Sequence, residues 1–179
     1  MDVNISKAVF GGGCFWCTEA LFRSLKGVRA VRSGYAGGSA ADANYAKVSE
    51  GNTGHAECIE IEYDSTQISF PDLLSVFFNT HDPTTLNQQG ADIGTQYRSV
   101  IFYTTPAQKE ESEKLIEELN EAKAYEKPVV TEVAPLEGFY EAEDYHKNYY
   151  ETHPEAAYCQ IVIAPKLAKL NQKFKELVK

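Results

Sequence analysis

Positive charge is scarce in this chain of 179 residues, which has 17 Lys and Arg against 26 Asp and Glu and a formal net charge of -9. Nucleic-acid affinity comes mostly from clustered Lys and Arg, so this balance argues against a nucleic-acid-binding surface. No stretch approaches the roughly 20 apolar residues of a membrane-spanning helix. The N-terminus lacks the basic segment and apolar run of a signal peptide. We therefore expect a cytoplasmic protein that binds neither nucleic acid nor membrane.

Cysteine is limited to four residues, Cys14, Cys17, Cys58 and Cys159. Their spacing is irregular, and the chain is long enough to form a core without disulfides. Thiols stay reduced in the cytoplasm, so these cysteines are free, metal-bound or catalytic. A four-ligand zinc site normally needs a second closely spaced pair of Cys or His, which Cys58 and Cys159 do not form. Structural zinc is therefore the minor alternative.

Predicted strands alternate with predicted helices, and no repeat or linker divides the chain. We expect one domain over residues 1–179 with the α+β fold class, in which helices pack on a mixed β-sheet. Residues 57–64 alternate apolar and charged side chains, which is typical of a strand with one face in water. The polar loop 82–96 is long enough to indicate a functional role. Strands are predicted at 7–13, 28–38, 57–64, 97–104, 129–135 and 159–164, and helices from Cys14 and over 70–81, 106–125 and 166–179.

The stretch GGGCFWCTEA, residues 11–20, places two cysteines after a glycine turn. If Cys14 begins a helix, its sulfur lies beside unpaired N–H groups and the positive end of the helix dipole, which favour an ionised, uncovered thiolate. Cys17 then lies on about the same helix face, within reach of a disulfide. An attacking thiol with a second thiol to resolve it is typical of a redox catalyst. The alternatives are two buried apolar cysteines or two zinc ligands.

The segment GGGCFWCTEALF also resembles the active-site signature of the A-type peptide methionine sulfoxide reductases. Further segments of that family match in order along nearly the whole chain. The resemblance implies an α+β fold with a ferredoxin-like core, and reduction of methionine-S-sulfoxide, free or in proteins. The matching segments are GYAGG at 34–38, YAKVSEGNTGHAE at 45–57, HDPTTLNQQGADIGTQYRS at 81–99, EDYHKNYY at 143–150 and YCQIVIAPK at 158–166.

The resemblance further implies a reaction and a role for each of eight residues. Attack on the sulfoxide sulfur yields methionine and a cysteine sulfenic acid, a second thiol condenses with it, and thioredoxin reopens the disulfide. Neither a metal nor a cofactor is required. The implied roles are Cys14 as nucleophile, Phe15 and Trp16 as the pocket for the methyl group, Glu57 as proton donor through a raised pKa, Tyr45 and Tyr97 as hydrogen-bond donors to the sulfoxide oxygen, Asp92 as an ordering residue and Cys17 as the resolving thiol.

Cys17 stands where many family members have glycine and use a recycling cysteine in a glycine-rich C-terminal tail. This chain ends instead in a lysine-rich amphipathic segment, which favours Cys17 as the resolving thiol. Cys58 and Cys159 are expected to be buried, and Cys58 should point away from Glu57 by strand alternation. His55 and His146 are expected to be hydrogen-bonded structural residues, and a monomer is expected.

Two other functional classes remain open from the residues themselves. A thiol–disulfide oxidoreductase of thioredoxin type also has C-x-x-C at a helix start, although that class leaves the polar 81–99 loop without a purpose. A metal-binding or scaffold module is the third hypothesis. Turnover that depends on sulfoxide separates the reductase from the thioredoxin type, and thiol titration with a chelator would reveal zinc.

Overall fold

The computed structural model describes residues 3–179, which form eight strands and six α-helices. The strands are β1 Ile5–Gly12, β2 Val28–Ala36, β3 Ala56–Asp64, β4 Gln88–Gln89, β5 Asp92–Ile93, β6 Ser99–Tyr103, β7 Glu132–Pro135 and β8 Phe139–Glu141. The helices are α1 Phe15–Arg23, α2 Tyr45–Ser49, α3 Phe70–Thr80, α4 Pro106–Glu121, α5 Tyr149–Thr152 and α6 Ala164–Lys173.

Six of the strands form one mixed sheet in the order β7-β6-β1-β3-β2-β8, and β4 pairs with β5 in a separate hairpin. Neighbours are antiparallel except β6 and β7, which are parallel. β1 and β3 lie at the centre, with Phe10 opposite Ile59 in their register. The predicted α+β class with helices on a mixed sheet is confirmed.

The main core lies between the sheet and helices α1 and α3. Phe10 of β1 packs against three other phenylalanines, Phe22, Phe70 and Phe77, with ring centroids 4.8 to 6.0 Å apart. Burial of such large rings accounts for much of the stabilisation of a core. α3 is fixed at its start by a capping box between Ser69 and Asp72. The core therefore anchors β1 and α1, which meet at the Cys14 turn.

The prediction that one face of β3 lies in water is wrong. Glu57 and Glu60 are both buried, on opposite faces of the strand. Glu60 is covered through ion pairs with Arg32 and Lys7. Cys58 is buried with Val100 and others on the face opposite Glu57, as predicted. β3 is paired on both edges, with β1 and β2, and eight of its nine residues are buried, so both of its faces are covered.

The strand predicted at 159–164 is also wrong. Cys159–Ile163 forms a π-helical turn that leads into α6. Cys159 and Ile163, four residues apart, are buried, whereas Ile161 is 73% exposed. This period of four follows a helix, so packing against α1 overrides the strand propensity of Ile and Val. The C-terminal helix ends at Lys173, short of the predicted 179.

No helix within residues 3–179 is both long and apolar enough to cross a membrane.

Candidate active site

The glycine turn between β1 and α1 presents Cys14 at the helix N-terminus. Gly13 has φ +94°, a left-handed conformation that side chains disfavour. A Cβ at Gly13 would lie 2.7 Å from Cγ of Gln89, so the turn packs directly on the loop that contains β4. Cys14 is the N-cap residue, and its carbonyl accepts a hydrogen bond from the Cys17 N–H at 3.1 Å. The 82–96 loop therefore packs on the turn that carries Cys14.

Glu57 of β3 is held against the same helix N-terminus. The backbone N–H of Phe15 donates to Oε1 of Glu57 at 3.2 Å, and Glu57 is only 2% exposed. Burial raises the pKa of Glu57 to about 8, although the hydrogen bond from Phe15 acts in the opposite direction. At neutral pH this carboxyl holds a proton, which is the state that a general acid needs.

The predicted ionised and uncovered state of Cys14 is wrong. Cys14 is 9% exposed, and its pKa is raised well above the ordinary value, first by burial and then by the charges of Glu57 and Cys17. Interactions with the Trp16 backbone and with Tyr158 favour the thiolate but are outweighed. The helix N-terminus is present as predicted, but loss of water around the sulfur has the larger effect. The resting site therefore holds a thiol beside a protonated carboxyl.

Aromatic rings form one side of the site. Trp16 stacks on Tyr149 with centroids 3.7 Å apart and an interplanar angle of 6°, and it meets Tyr158 edge-on at 5.8 Å. Phe15 packs against Tyr35 and is fully buried. Phe15 therefore has no exposed surface, whereas Trp16 is only partly buried.

Tyr45 of α2 and Tyr97 lie near Cys14 and Glu57. Burial is the main cause of the raised pKa of each phenol, and the charges of Glu57 and Cys14 also contribute to both. Both phenols therefore stay protonated and can donate hydrogen bonds. The structure thus brings Tyr45 and Tyr97 together with Cys14 and Glu57.

Asp92 and Cys17 are linked through Tyr158, which was not among the predicted site residues. The Tyr158 hydroxyl donates to Oδ2 of Asp92 at 3.0 Å and accepts from the Cys17 thiol at 3.5 Å. The matched segment YCQIVIAPK contained Tyr158, but one of 11 tyrosines gave no further signal. Cys159, buried as expected, lies in the same apolar cluster as Cys14 and Cys17.

The two singled-out histidines differ in their surroundings. His55 accepts from the Gly38 N–H through Nδ1 at 3.1 Å, and its Nε2 lies 2.7 Å from the Ser39 carbonyl, so its structural role is confirmed. His146 is also buried and hydrogen-bonded as expected, but its partner is the indole of Trp16, which donates to Nδ1. Among residues 3–179, no group of three or more His, Cys, Asp or Glu side chains is arranged to hold a metal ion.

A cysteine beside a protonated carboxyl, with a second thiol one helical turn away, defines the class of thiol-dependent oxidoreductases. The family profile of the peptide methionine sulfoxide reductases matches residues 6–178. The chain belongs to this family. A relative from Acinetobacter baumannii, the peptide methionine sulfoxide reductase MsrA, is 51% identical over 98% of this chain and 99% of its own.

Solved structures agree with this assignment. The reduced form of Mxr1 from Saccharomyces cerevisiae superposes with a TM-score of 0.81 at 33% identity, covering 87% of this chain and 89% of that chain. Methionine sulfoxide reductase A of Corynebacterium diphtheriae has a TM-score of 0.76 at 34% identity, covering 85% and 76%. The protein is therefore an oxidoreductase that reduces methionine sulfoxide, with the fold of this family.

Proposed function

We propose that this protein reduces methionine-S-sulfoxide, free or within polypeptides, through a sulfenic acid on Cys14. The observation that carries the proposal is the position of Glu57, whose carboxyl accepts the Phe15 N–H beside Cys14 and holds a proton at neutral pH. A sulfoxide oxygen is a poor leaving group until it is protonated, so a nucleophile and an acid must act at adjacent atoms.

The first step balances with the protons that this pair holds. The Cys14 sulfur attacks the sulfoxide sulfur while Glu57 gives its proton to the oxygen, and the thiol proton replaces the one that Glu57 lost. As the oxygen passes to the Cys14 sulfur, the S–O bond of the substrate and the new bond between the two sulfurs both break, which leaves methionine and Cys14–SOH. Cys14 loses two electrons and the substrate gains them. Because the thiolate is the attacking form, the thiol proton leaves Cys14 as the attack proceeds, and Glu57 receives it after giving its own proton to the oxygen.

The surrounding side chains supply binding and orientation. Tyr45 and Tyr97 donate hydrogen bonds to the sulfoxide oxygen, and their raised pKa values keep both phenols protonated. Trp16 provides the apolar surface for the methyl group, and buried Phe15 supports it from beneath. Asp92 orders the site through its hydrogen bond with Tyr158.

Recycling uses Cys17, one turn along α1 from Cys14. Its thiol attacks the sulfenic sulfur, a disulfide forms, and the oxygen leaves as water. An external dithiol then reduces the disulfide, and we propose thioredoxin as that partner. The cytoplasm, where thioredoxin keeps thiols reduced, is the proposed setting, with residues 1–179 acting as a single-domain monomer. No cofactor takes part in these steps.

Replacement of Cys17 by serine is expected to separate the two halves of the cycle. The variant should release about one methionine per enzyme, because Cys14 and Glu57 remain, and should then stall with thioredoxin as reductant. Methionine released is measured by chromatography, first in a single turnover and then with thioredoxin and its reductase.

Cys159→Ser is the matched control, since Cys159 lies in the same apolar cluster. It should cycle at close to the rate of the unmodified protein. Undiminished cycling in Cys17→Ser together with stalling in Cys159→Ser would show that Cys159 resolves the sulfenic acid and would overturn the assignment of Cys17.

A further inference from the structure

His146 lies against the indole of Trp16, and the proposed chemistry does not use it. The indole Nε1–H donates to Nδ1 of His146 at 3.0 Å. The histidine is 1% exposed, so its side of this contact is shielded from water. Because Nδ1 accepts, the proton of the imidazole resides on Nε2. Burial lowers the pKa of His146, which keeps the ring in this uncharged form, although the Glu143 charge opposes the effect.

The ring of His146 is packed on several sides by the walls of the site. Its centroid lies 4.9 Å from that of Phe15, 4.7 Å from that of Tyr45 and 4.1 Å from that of Tyr145. Its remaining nitrogen, Nε2, is buried and has no hydrogen-bond partner within residues 3–179. A buried N–H without a partner is destabilising, so the place of His146 costs the folded protein one hydrogen bond.

The backbone around His146 is also anchored to the elements that carry the site. The N–H of Asn148 donates to Oε1 of Glu19 in α1 at 2.6 Å. On the other side, Glu143 accepts from the Tyr45 N–H at 3.1 Å and from the Tyr35 hydroxyl at 2.9 Å. Both anchors involve buried or half-buried groups, so the imidazole is held at a fixed place relative to α1 and α2.

Stacking alone does not fix the orientation of the Trp16 indole. A parallel contact at 3.7 Å and 6° with Tyr149 fixes the plane of the indole, but it permits the ring to slide and rotate within that plane. A hydrogen bond at the Nε1 edge removes this remaining freedom, because its direction and length are both restricted. Two contacts from the same segment, Tyr149 on the face and His146 on the edge, together define one orientation of the indole.

We propose that His146 is a positioning residue that fixes the indole of Trp16 through Nδ1, so that the surface for the methyl group of the substrate is formed before substrate binds. This inference rests on the proposed function, in which Trp16 contacts the methyl group. A preformed pocket binds more tightly because no side chain has to be ordered on binding. His146 therefore contributes to substrate affinity and not to the transfer of oxygen.

Trp16 is the only tryptophan of the chain, so its fluorescence reports on this contact directly. His146→Asn places an amide oxygen near the position of Nδ1, whereas His146→Leu removes the acceptor. In substrate-free protein, His146→Leu should shift the emission of Trp16 and increase its quenching by acrylamide, and His146→Asn should resemble the unmodified protein. Fluorescence unchanged in His146→Leu would overturn the proposal. This measurement needs no turnover, so its failure is distinguishable from failure of the proposed function, which is tested by methionine release and by the fate of Cys14.

Kinetics separate positioning from a general structural role. His146→Leu should raise KM for the sulfoxide about three- to tenfold, the effect of one hydrogen bond, and should leave the single-turnover rate at saturating substrate nearly unchanged. His146→Asn should restore KM. In a Trp16→Phe background, where no indole N–H exists, His146→Leu should have no further effect on KM. An equal effect of His146→Leu in both backgrounds would overturn the proposal.

If His146→Leu does not fold, as judged by circular dichroism, His146→Gln takes its place. Its amide reaches toward the position of Nε2 and not Nδ1, so the same rise in KM and the same change in fluorescence are expected. Values of KM and fluorescence equal to those of His146→Asn would contradict the proposal.

Discussion

Replacement of Cys14 by serine is expected to abolish methionine formation, including the first turnover. A serine hydroxyl ionises far less readily than a thiol and cannot form a sulfenic acid. Burial disfavours even the thiolate at this position, so an alkoxide would be still less accessible. We expect the single-turnover rate to fall by at least about a thousandfold, the scale of effect that follows loss of a nucleophile.

The same substitution at Cys17 is the matched control, since it lies three residues along in the same helix. Rapid-quench measurement of methionine, with circular dichroism to confirm the fold, compares the two variants. Methionine released by Cys14→Ser at a rate close to that of Cys17→Ser would show that another group attacks the sulfoxide. The nucleophile would then have to be sought among Cys17 and Cys159, in the same cluster.

Replacement of Glu57 by glutamine has the second large expected effect. The amide oxygen can still accept the Phe15 N–H, so the change removes the transferable proton and little of the geometry. The single-turnover rate should fall about 10²- to 10⁴-fold, the usual contribution of a general acid, with a much smaller change in the binding of substrate. Rates from rapid quench at several substrate concentrations separate the two quantities.

The single-turnover rate is also expected to depend on pH through the ionisation of Glu57. The raised pKa of Glu57, about 8, means that the acid form is present below pH 8 and is lost as the pH rises through 8. The single-turnover rate of the unmodified protein should therefore be highest below pH 8 and fall above it. Glu57→Gln should be slow throughout and lack this fall. A rate that rises through pH 8 in the unmodified protein would mean that ionisation of Cys14 limits the step.

Glu60→Gln controls for loss of a buried carboxyl. Glu60 is on the same strand but the opposite face, where it pairs with Arg32 and Lys7. The variant is expected to lose stability but to keep the single-turnover rate of the unmodified protein. An equal loss of rate in both variants would show that a disturbance of strand β3 accounts for the effect, and would remove the support for Glu57 as the proton donor.

Much of the fold could be predicted from the sequence because several segments carry strong local signals. Pro71 and the period of its neighbours predicted α3 at 70–81, and the structure has it at Phe70–Thr80. The glycines of GYAGG predicted that β2 ends at residue 38, and the strand ends two residues earlier, at Ala36. The apolar run before the glycines likewise predicted β1. These elements depend on local turn residues and on a regular period.

Other features depend on neighbours far away in the chain. The charged residues of β3 alternate as on an exposed strand, yet Glu57 is covered by the start of α1 and Glu60 by Arg32. The run CQIVIA has strand-forming residues but becomes helical, because Cys159 and Ile163 pack beside α1. Local propensity cannot reveal which element will lie above a given residue.

The candidate site also has features that the sequence predicts and features that only the tertiary fold determines. The resemblance supplied Glu57, Tyr45, Tyr97 and Asp92, none of which residue spacing alone could have selected. The ionisation of Cys14 was predicted from its place at a helix start, but the depth of its burial depends on the tertiary fold. Tyr158 and Tyr149 were missed because each was one tyrosine among 11, and only the folded chain places them against Cys17 and Trp16.

Mass spectrometry after one equivalent of methionine sulfoxide identifies the sulfur that takes the oxygen, expected to be that of Cys14, and the thiol that resolves it, expected to be Cys17. Peptide mapping under conditions that trap free thiols should locate one new disulfide, between Cys14 and Cys17, with Cys58 unmodified. In Cys17→Ser, the same experiment should find one added oxygen on Cys14. A modified enzyme in which Cys14 remains a free thiol would show that Cys14 is not the attacking group.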